Sequence, residues 1–247
     1  MSPLSCIQDN NHFIFYINAT FKELSLSPPS LDWFNVERLP NEFDIIGQAT
    51  GRGTTWFLRY QCNDYVLRHY KRGGAVARVS EDSFIYLSLS RTRPVQELSL
   101  LVKLQRWHLP APRPIAGLVT RNGLTWQGDL ITAKIDGAED VHNVLLQRPL
   151  NTMEWRHIGA TIRRFHQRQV FHHDLNIHNI MLDSEGQAWL IDFDKCGIKR
   201  GNGWKRANLK RLLRSLEKES KKNSDYGFEE RNWQSLLEGY ESLGPES

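Results

Sequence analysis

Asp174, Asn179 and Asp192 are the residues of this chain whose types and spacing could do chemistry together. The first two stand in the segment His172-His173-Asp174-Leu175-Asn176-Ile177-His178-Asn179, and the third opens Asp192-Phe193-Asp194. Between them lie two short apolar runs, Ile180 to Leu182 and Ala188 to Ile191, separated by the turn-like Asp183-Ser184-Glu185-Gly186. That order predicts a hairpin. A hairpin returns the chain to its starting point, so the loops carrying the three side chains can converge. A carboxylate that orients and deprotonates a hydroxyl, with hard oxygen ligands for Mg²⁺, is the set that phosphoryl transfer from ATP requires. On this reading Asp174 is the catalytic base, and Asn179 and Asp192 hold the metal.

Other elements must position these residues. Asn151 to Gln169, just before the segment, is helical by pattern: Trp155, Ile158, Ile162 and Phe165 form one apolar stripe, and Asn151 with Glu154 has capping-box spacing. Gly and Pro punctuation separates a strand-rich first part, 1–131, from a helix-rich second part, 132–247, so a single domain of two lobes is expected. In the first part, Thr54 to Tyr60 and Tyr65 to Tyr70 read as a hairpin interrupted at Asn63-Asp64, and alternation puts Val66, Arg68 and Tyr70 on one face. Arg93 to Leu109 repeats Leu98, Leu101, Val102 and Gln105 at helical spacing behind Pro94. Glu97 stands at the edge of that stripe, where a carboxylate needs a cation or solvent. Met1 to Phe43 is expected to add strands and a helix to the first lobe.

The motifs resemble the protein-kinase superfamily, which uses H-R-D-L-x-x-x-N and then D-F-G: here Asn179 follows Asp174 by five residues, and Asp192 follows thirteen later. The resemblance implies an α+β, protein-kinase-like fold with a small antiparallel N-lobe sheet, one key helix, and a reduced, mainly helical C-lobe. It assigns ATP binding to the backbone at Gly51 and Gly53, although Trp56 occupies the third glycine position, and to Arg68 in place of the usual lysine, with Lys71 as the alternative. Glu97 then pairs with Arg68; the competing reading is a surface ion pair of little weight. Thr132 to Ile135 is expected to link the lobes and meet adenine.

The departures narrow the acceptor. His173 replaces the arginine of the kinase motif, Asp194 replaces the glycine, and only about fifty residues follow, without an A-P-E motif. A small or lipid-linked hydroxyl is favoured over a protein. Arg68-His69-Tyr70-Lys71-Arg72-Gly73-Gly74, the Asp174 to Asn179 segment, and Asp192-Phe193-Asp194-Lys195-Cys196-Gly197 resemble the bacterial lipopolysaccharide kinases, from about Gly51 to Lys218. This resemblance implies phosphorylation of the 4-hydroxyl of a 3-deoxy-D-manno-octulosonic acid (Kdo) residue on a lipid A precursor, by a peripheral protein at the cytoplasmic face of the bacterial inner membrane. The alternative acceptors are another small molecule, a lipopolysaccharide heptose or a protein.

Composition bounds the rest. The longest N-terminal apolar run, Phe13 to Ile17, is far short of a membrane span, and Cys6, Cys62 and Cys196 offer neither a disulfide framework nor a C-x-x-C pair. The total charge of +4 is uneven, because Lys199 to Lys222 carries ten basic side chains against Glu217 and Glu219, a net of +8 that leaves −4 elsewhere. Leu209, Leu212, Leu213 and Leu216 form a stripe flanked by Lys205, Arg206, Lys210, Arg211 and Arg214. Two readings stand: contact with an anionic membrane surface, or leucines on the core with the cations solvated. A nucleic-acid partner is not expected, since it would leave the base-and-metal set unexplained. A zinc site of His172, His173, His178 and Asp174 lacks helical ligand spacing and omits Asp192. His172 is expected to hydrogen-bond the loop near Asp192 and His178 to be structural, while Asp194 and Lys195 either touch substrate or support the loop.

Overall fold

The computed structural model describes residues 4–50, 54–71 and 82–242. Gly51 and Gly53 lie outside the described residues. The chain divides into two compact units, Met1–Lys103 with Arg113–Lys134, and Leu104–Pro112 with Ile135–Ser247. The last of the three boundaries, between Lys134 and Ile135, lies within the Thr132 to Ile135 segment.

The first unit holds one antiparallel sheet of β1 (Ser5–Asp9), β2 (His12–Tyr16), β3 (Phe43–Thr50), β4 (Thr54–Tyr60), β5 (Asn63–His69), β6 (Phe84–Ile85), β7 (Pro114–Asn122) and β8 (Thr125–Ala133). Its order is β1-β2-β7-β8-β5-β4-β3, with β6 pairing β8 off that path. Met1 to Phe43 thus supplies two strands, together with α1 (Asn18–Glu23) and a 3-10 turn at Leu31–Phe34. These place Phe21, Trp33 and Phe34 in one core with Leu58, Tyr65, Leu67 and Ile131. Because side chains alternate along a strand, burying Tyr65 and Leu67 there turns Arg68 of β5 to the other face.

That other face receives α2 (Arg93–Arg106). Gly128 of β8 permits the approach, since a Cβ there would lie 2.7 Å from Pro94 Cγ and 2.5 Å from the Leu118 carbonyl. The helix ends three residues before the expected Leu109. His108 adopts φ +52, the Leu109 N–H bonds the Leu104 carbonyl at 3.0 Å, and the His108 N–H bonds that of Gln105 at 3.0 Å. This is a Schellman closure, built here on a non-glycine residue that the helical periodicity did not reveal.

The second unit contains β9 (Glu139–Asp140), α3 (Val141–Gln147), α4 (Thr152–Gln167), β10 (Val170–Phe171), β11 (Ile180–Leu182), β12 (Ala188–Leu190), β13 (Gly197–Ile198), α5 (Gly203–Lys222) and α6 (Glu230–Ser242). The Asn151–Glu154 capping box forms as its spacing predicts, and Trp155, Ile158, Ile162 and Phe165 are all buried. The predicted hairpin is β11–β12, in register Ile180↔Leu190 and Leu182↔Ala188. Among the described residues the chain therefore has six α-helices and an antiparallel sheet, an α+β fold.

The α4–α6 pair packs backbone to backbone. A Cβ on Gly159 would collide with the Leu236 carbonyl and lie 2.7 Å from the Tyr240 nitrogen, and one on Gly239 would collide with the Arg156 carbonyl. Each helix thus offers bare backbone to the other, and the contact brings Tyr240 toward His166. Gly159→Ala is expected to lower unfolding free energy by about 3 kcal/mol, the upper part of the usual overpacking range. Chemical denaturation checks this; a loss no larger than that of an exposed helical substitution would mean the helices separate freely.

Candidate active site

The loop between β10 and β11 is built around its own carbonyls. The Asn179 side chain donates from Nδ2 to the Asp174 carbonyl at 2.9 Å, and Asn176 donates to the same carbonyl at 3.2 Å while accepting from the His178 N–H at 2.9 Å. The Asn179 amide is thereby oriented, with Oδ1 turned away from that carbonyl. The Asn179 carbonyl in turn accepts from the Ile191 N–H at 3.0 Å, which extends the β11–β12 ladder by one step and brings Asp192 to the same end of the hairpin. Asp192 has φ +60, a left-handed conformation that the short Asp side chain tolerates better than most.

His172 does what its position suggested. Its Nε2 lies 2.9 Å from the Ile191 carbonyl, so the neutral ring donates there, and complete burial pushes its pKa down. Phe193, buried, packs against Phe165 and edge-on against His172. The aromatic residue between the two acids is thus an anchor that fixes the backbone on either side.

One face of α5 holds the loop. Asn208, buried, donates to the His172 carbonyl at 2.7 Å and accepts from the His172 N–H at 3.4 Å. Ser215 Oγ accepts from the Ile177 N–H at 3.0 Å and donates to the Leu212 carbonyl at 2.7 Å. Between them, Arg211 places Nε 2.9 Å and Nη2 2.8 Å from Asp174 Oδ1. Positions 208, 211 and 215 share a helix face, which is why one element reaches three successive points of the loop. Of the leucine stripe, Leu212 and Leu216 are fully buried, and Leu209 and Leu213 half-buried. The stripe is the core-facing side of α5, while Arg206, Lys210 and Arg214 stay exposed and open to either solvent or an anionic surface.

Behind Asn208 lies a buried relay that sequence reasoning missed. His166 is 1% exposed, with Nε2 3.3 Å from Asn208 Oδ1 and Nδ1 2.8 Å from the Tyr240 hydroxyl. The ring therefore donates to Asn208 and accepts from Tyr240. Burial is the main cause that pushes its pKa down to about 3. His166 was visible only as a polar residue beside an apolar stripe; its partners lie 42 and 74 residues away.

The first unit holds the other expected pair. Arg68 Nη2 lies 2.7 Å from both oxygens of Glu97, and the Tyr70 hydroxyl donates to Glu97 Oε2 at 2.7 Å. Glu97 is 4% exposed, so the pair is not the surface contact that the competing reading described. A buried carboxylate needs more than one donor, and Tyr70, two residues from Arg68 on the same face, supplies the second.

The zinc set considered above does not gather: His172 is spent on the Ile191 carbonyl, and Asp174 on Arg211. A different trio, His142, His178 and Glu219, brings ligand atoms within 4.8 Å of one another. Lys222 Nζ already bonds both Glu219 oxygens at 2.8 and 2.9 Å, and its ammonium competes for the place of a divalent ion.

Because the His166 pKa is lower folded than unfolded, the unfolded chain binds the extra proton as pH falls below 6.5, and stability drops across that window toward about 3. Acidification to about pH 5 is expected to cost up to about 2 kcal/mol through this group. His166→Gln should flatten that part of the profile. Melting temperatures of both forms across this range check it, and parallel profiles would exclude His166 as the titrating group.

The chain was compared with known proteins. Residues 36–240 match the lipopolysaccharide kinase (Kdo/WaaP) family. The chain is 44% identical to the 3-deoxy-D-manno-octulosonic acid kinase of Photobacterium profundum over 80% of its own length and 83% of the relative's. It is 40% identical to the enzyme of that name from Haemophilus influenzae over 94% of this chain and 97% of the other. With the one from Vibrio cholerae it shares 45% identity over 71% and 74%. Matches of this identity, over most of the length of both partners, have one meaning: the chain belongs to the lipopolysaccharide kinase (Kdo/WaaP) family.

Proposed function

We propose that this chain transfers the γ-phosphoryl group of ATP to the 4-hydroxyl of the Kdo residue on a lipid A precursor, a step of lipopolysaccharide core biosynthesis. The observation that carries the reading is the pair of hydrogen bonds at Asn179: its side chain on the Asp174 carbonyl and its carbonyl on the Ile191 N–H gather Asp174, Asn179 and Asp192 at one end of a hairpin. The names of the relatives supply the acceptor.

In this reaction Asp174 accepts the proton of the sugar hydroxyl as its oxygen bonds the γ-phosphorus in line and the bond to ADP breaks. Asn179 and Asp192 fit Mg²⁺, being hard oxygen donors with the Asn179 amide already oriented by Asp174. That ion supplies neutralisation of the phosphate charge when bound. Arg68, held straight by Glu97 and Tyr70, takes the phosphates through its planar fork. The backbone at Gly51 and Gly53 is assigned to the same ligand.

Mg·ATP, the purified protein and a Kdo-bearing lipid A precursor should give labelled lipid, with none on a bare lipid A precursor, a generic protein or an aminoglycoside. Asp174→Ala should lower turnover by about 10²- to 10⁴-fold and leave nucleotide binding intact. Label on another acceptor in preference to the Kdo lipid would keep the phosphotransfer and remove the sugar.

Among the described residues no helix is long and apolar enough to cross a membrane. The finer reading is peripheral contact with the cytoplasmic face of the inner membrane through the exposed Arg206, Lys210 and Arg214 of α5. Cosedimentation with anionic vesicles should weaken as salt rises; equal retention on neutral vesicles at every salt concentration would sink it.

A further inference from the structure

The acceptor proposed above is an acid, and the site must meet its carboxylate as well as its hydroxyl. At neutral pH the sugar is an anion, and an anion is approaching a centre that already carries the Asp174 and Asp192 side chains. Without a cation at the point where it docks, repulsion would disfavour binding. On the Kdo ring the carbon bearing the carboxylate and the carbon bearing the 4-hydroxyl are separated by a single carbon. A cation that reads the carboxylate must therefore stand next to the base that receives the hydroxyl proton.

Arg211 stands there. Its guanidinium meets Asp174 Oδ1 through Nε at 2.9 Å and Nη2 at 2.8 Å, so the Nε–Nη2 edge is the one turned to the base. The opposite edge, Nη1 with the remaining Nη2 hydrogen, meets no acceptor among the described residues, and the side chain is 45% exposed. A guanidinium has two edges of parallel N–H bonds, each matched to a carboxylate. One is spent on Asp174 and the other faces outward. As a mere prop for a base that must take up a proton, arginine is a poor choice, since its permanent charge opposes protonation of its neighbour. The choice makes sense if the charge has a second anion to hold.

We propose that Arg211 is the residue that recognises the carboxylate of the acceptor sugar, using its outward edge while its inner edge keeps hold of Asp174. The assignment rests on the acceptor reading given above. It makes the acid group of the sugar part of the recognition code: the hydroxyl is delivered to Asp174 because the carboxylate two carbons away is clamped by the side chain bonded to that same aspartate. Sugars without the acid then meet an unpaired arginine edge.

The test is a cycle of two proteins and two acceptors: wild type and Arg211→Gln, each with the Kdo-bearing lipid A precursor and with the same lipid whose sugar carboxylate is converted to the neutral carboxamide. Arg211→Gln is expected to raise the KM for the native acceptor by about 10- to 100-fold, the worth of a charge-assisted hydrogen-bonded pair, with the KM for ATP unchanged. The carboxamide should impose a similar penalty on the wild type, and the variant should lose little more on the carboxamide. Arg211→Lys, which keeps the charge on an exposed position, should recover part of the loss with the native acceptor alone. Equal further losses by Arg211→Gln on both acceptors, or a fall confined to kcat, would leave Arg211 as a positioning residue for Asp174 and overturn the assignment by itself. Failure of the wild type to phosphorylate the native acceptor would instead remove the acceptor reading and carry this one with it.

Discussion

The grip of α5 on the backbone of the loop from His172 to Asn179 is the contact on which the candidate site in the second unit depends. A loop that turns its oxygen-bearing side chains outward leaves its own N–H and C=O groups facing inward, and each must find a partner or cost about 1–3 kcal/mol. Asn208 satisfies both groups of His172, and Ser215 satisfies the Ile177 N–H. The helix can do this because Leu212 and Leu216 seat it in the core, so a polar residue one turn away is delivered at fixed depth. The same seating sends Arg211 to Asp174. A segment that composition marks as a cationic surface is also the strut of the site.

The two units solve the problem of holding charge in different ways. In the first, a carboxylate is buried outright and met by Arg68 and the Tyr70 hydroxyl, an arrangement that is costly to break from either side. In the second, the acids remain on loops, and the buried groups behind them are neutral imidazoles. His172 and His166 are both held in their uncharged form by burial. Rigidity is thus obtained from hydrogen bonds that carry no net charge, and the field at Asp174 and Asp192 is left to the groups that face outward. Tyr240 closes this relay from α6, which the glycine crossing presses against α4. Packing far from the loop is in this way coupled to the backbone that carries Asp174.

Much of this was legible in the residues themselves. Local rules determined what depends on neighbours in sequence: the α4 stripe and its capping box, the two hairpins, and the five- and thirteen-residue steps that put an acid, an amide and an acid at one hairpin end. The pairing of Glu97 with Arg68 could be anticipated from the kinase resemblance, since a carboxylate beside an apolar stripe is satisfied by a cation or by solvent and the stripe alone names no partner. Its depth could not, since burial depends on what covers the pair. Only the tertiary structure decided that Tyr70 shares the load, that α2 stops at Arg106 on a left-handed His108, and that α4 and α6 meet backbone to backbone. It alone resolved which way α5 turns and therefore that Arg211 bonds Asp174. The reason is physical. Periodicity records which face of an element is apolar, whereas a side chain bonded to a backbone group or an acid 36 to 38 residues away leaves no periodic trace in either segment.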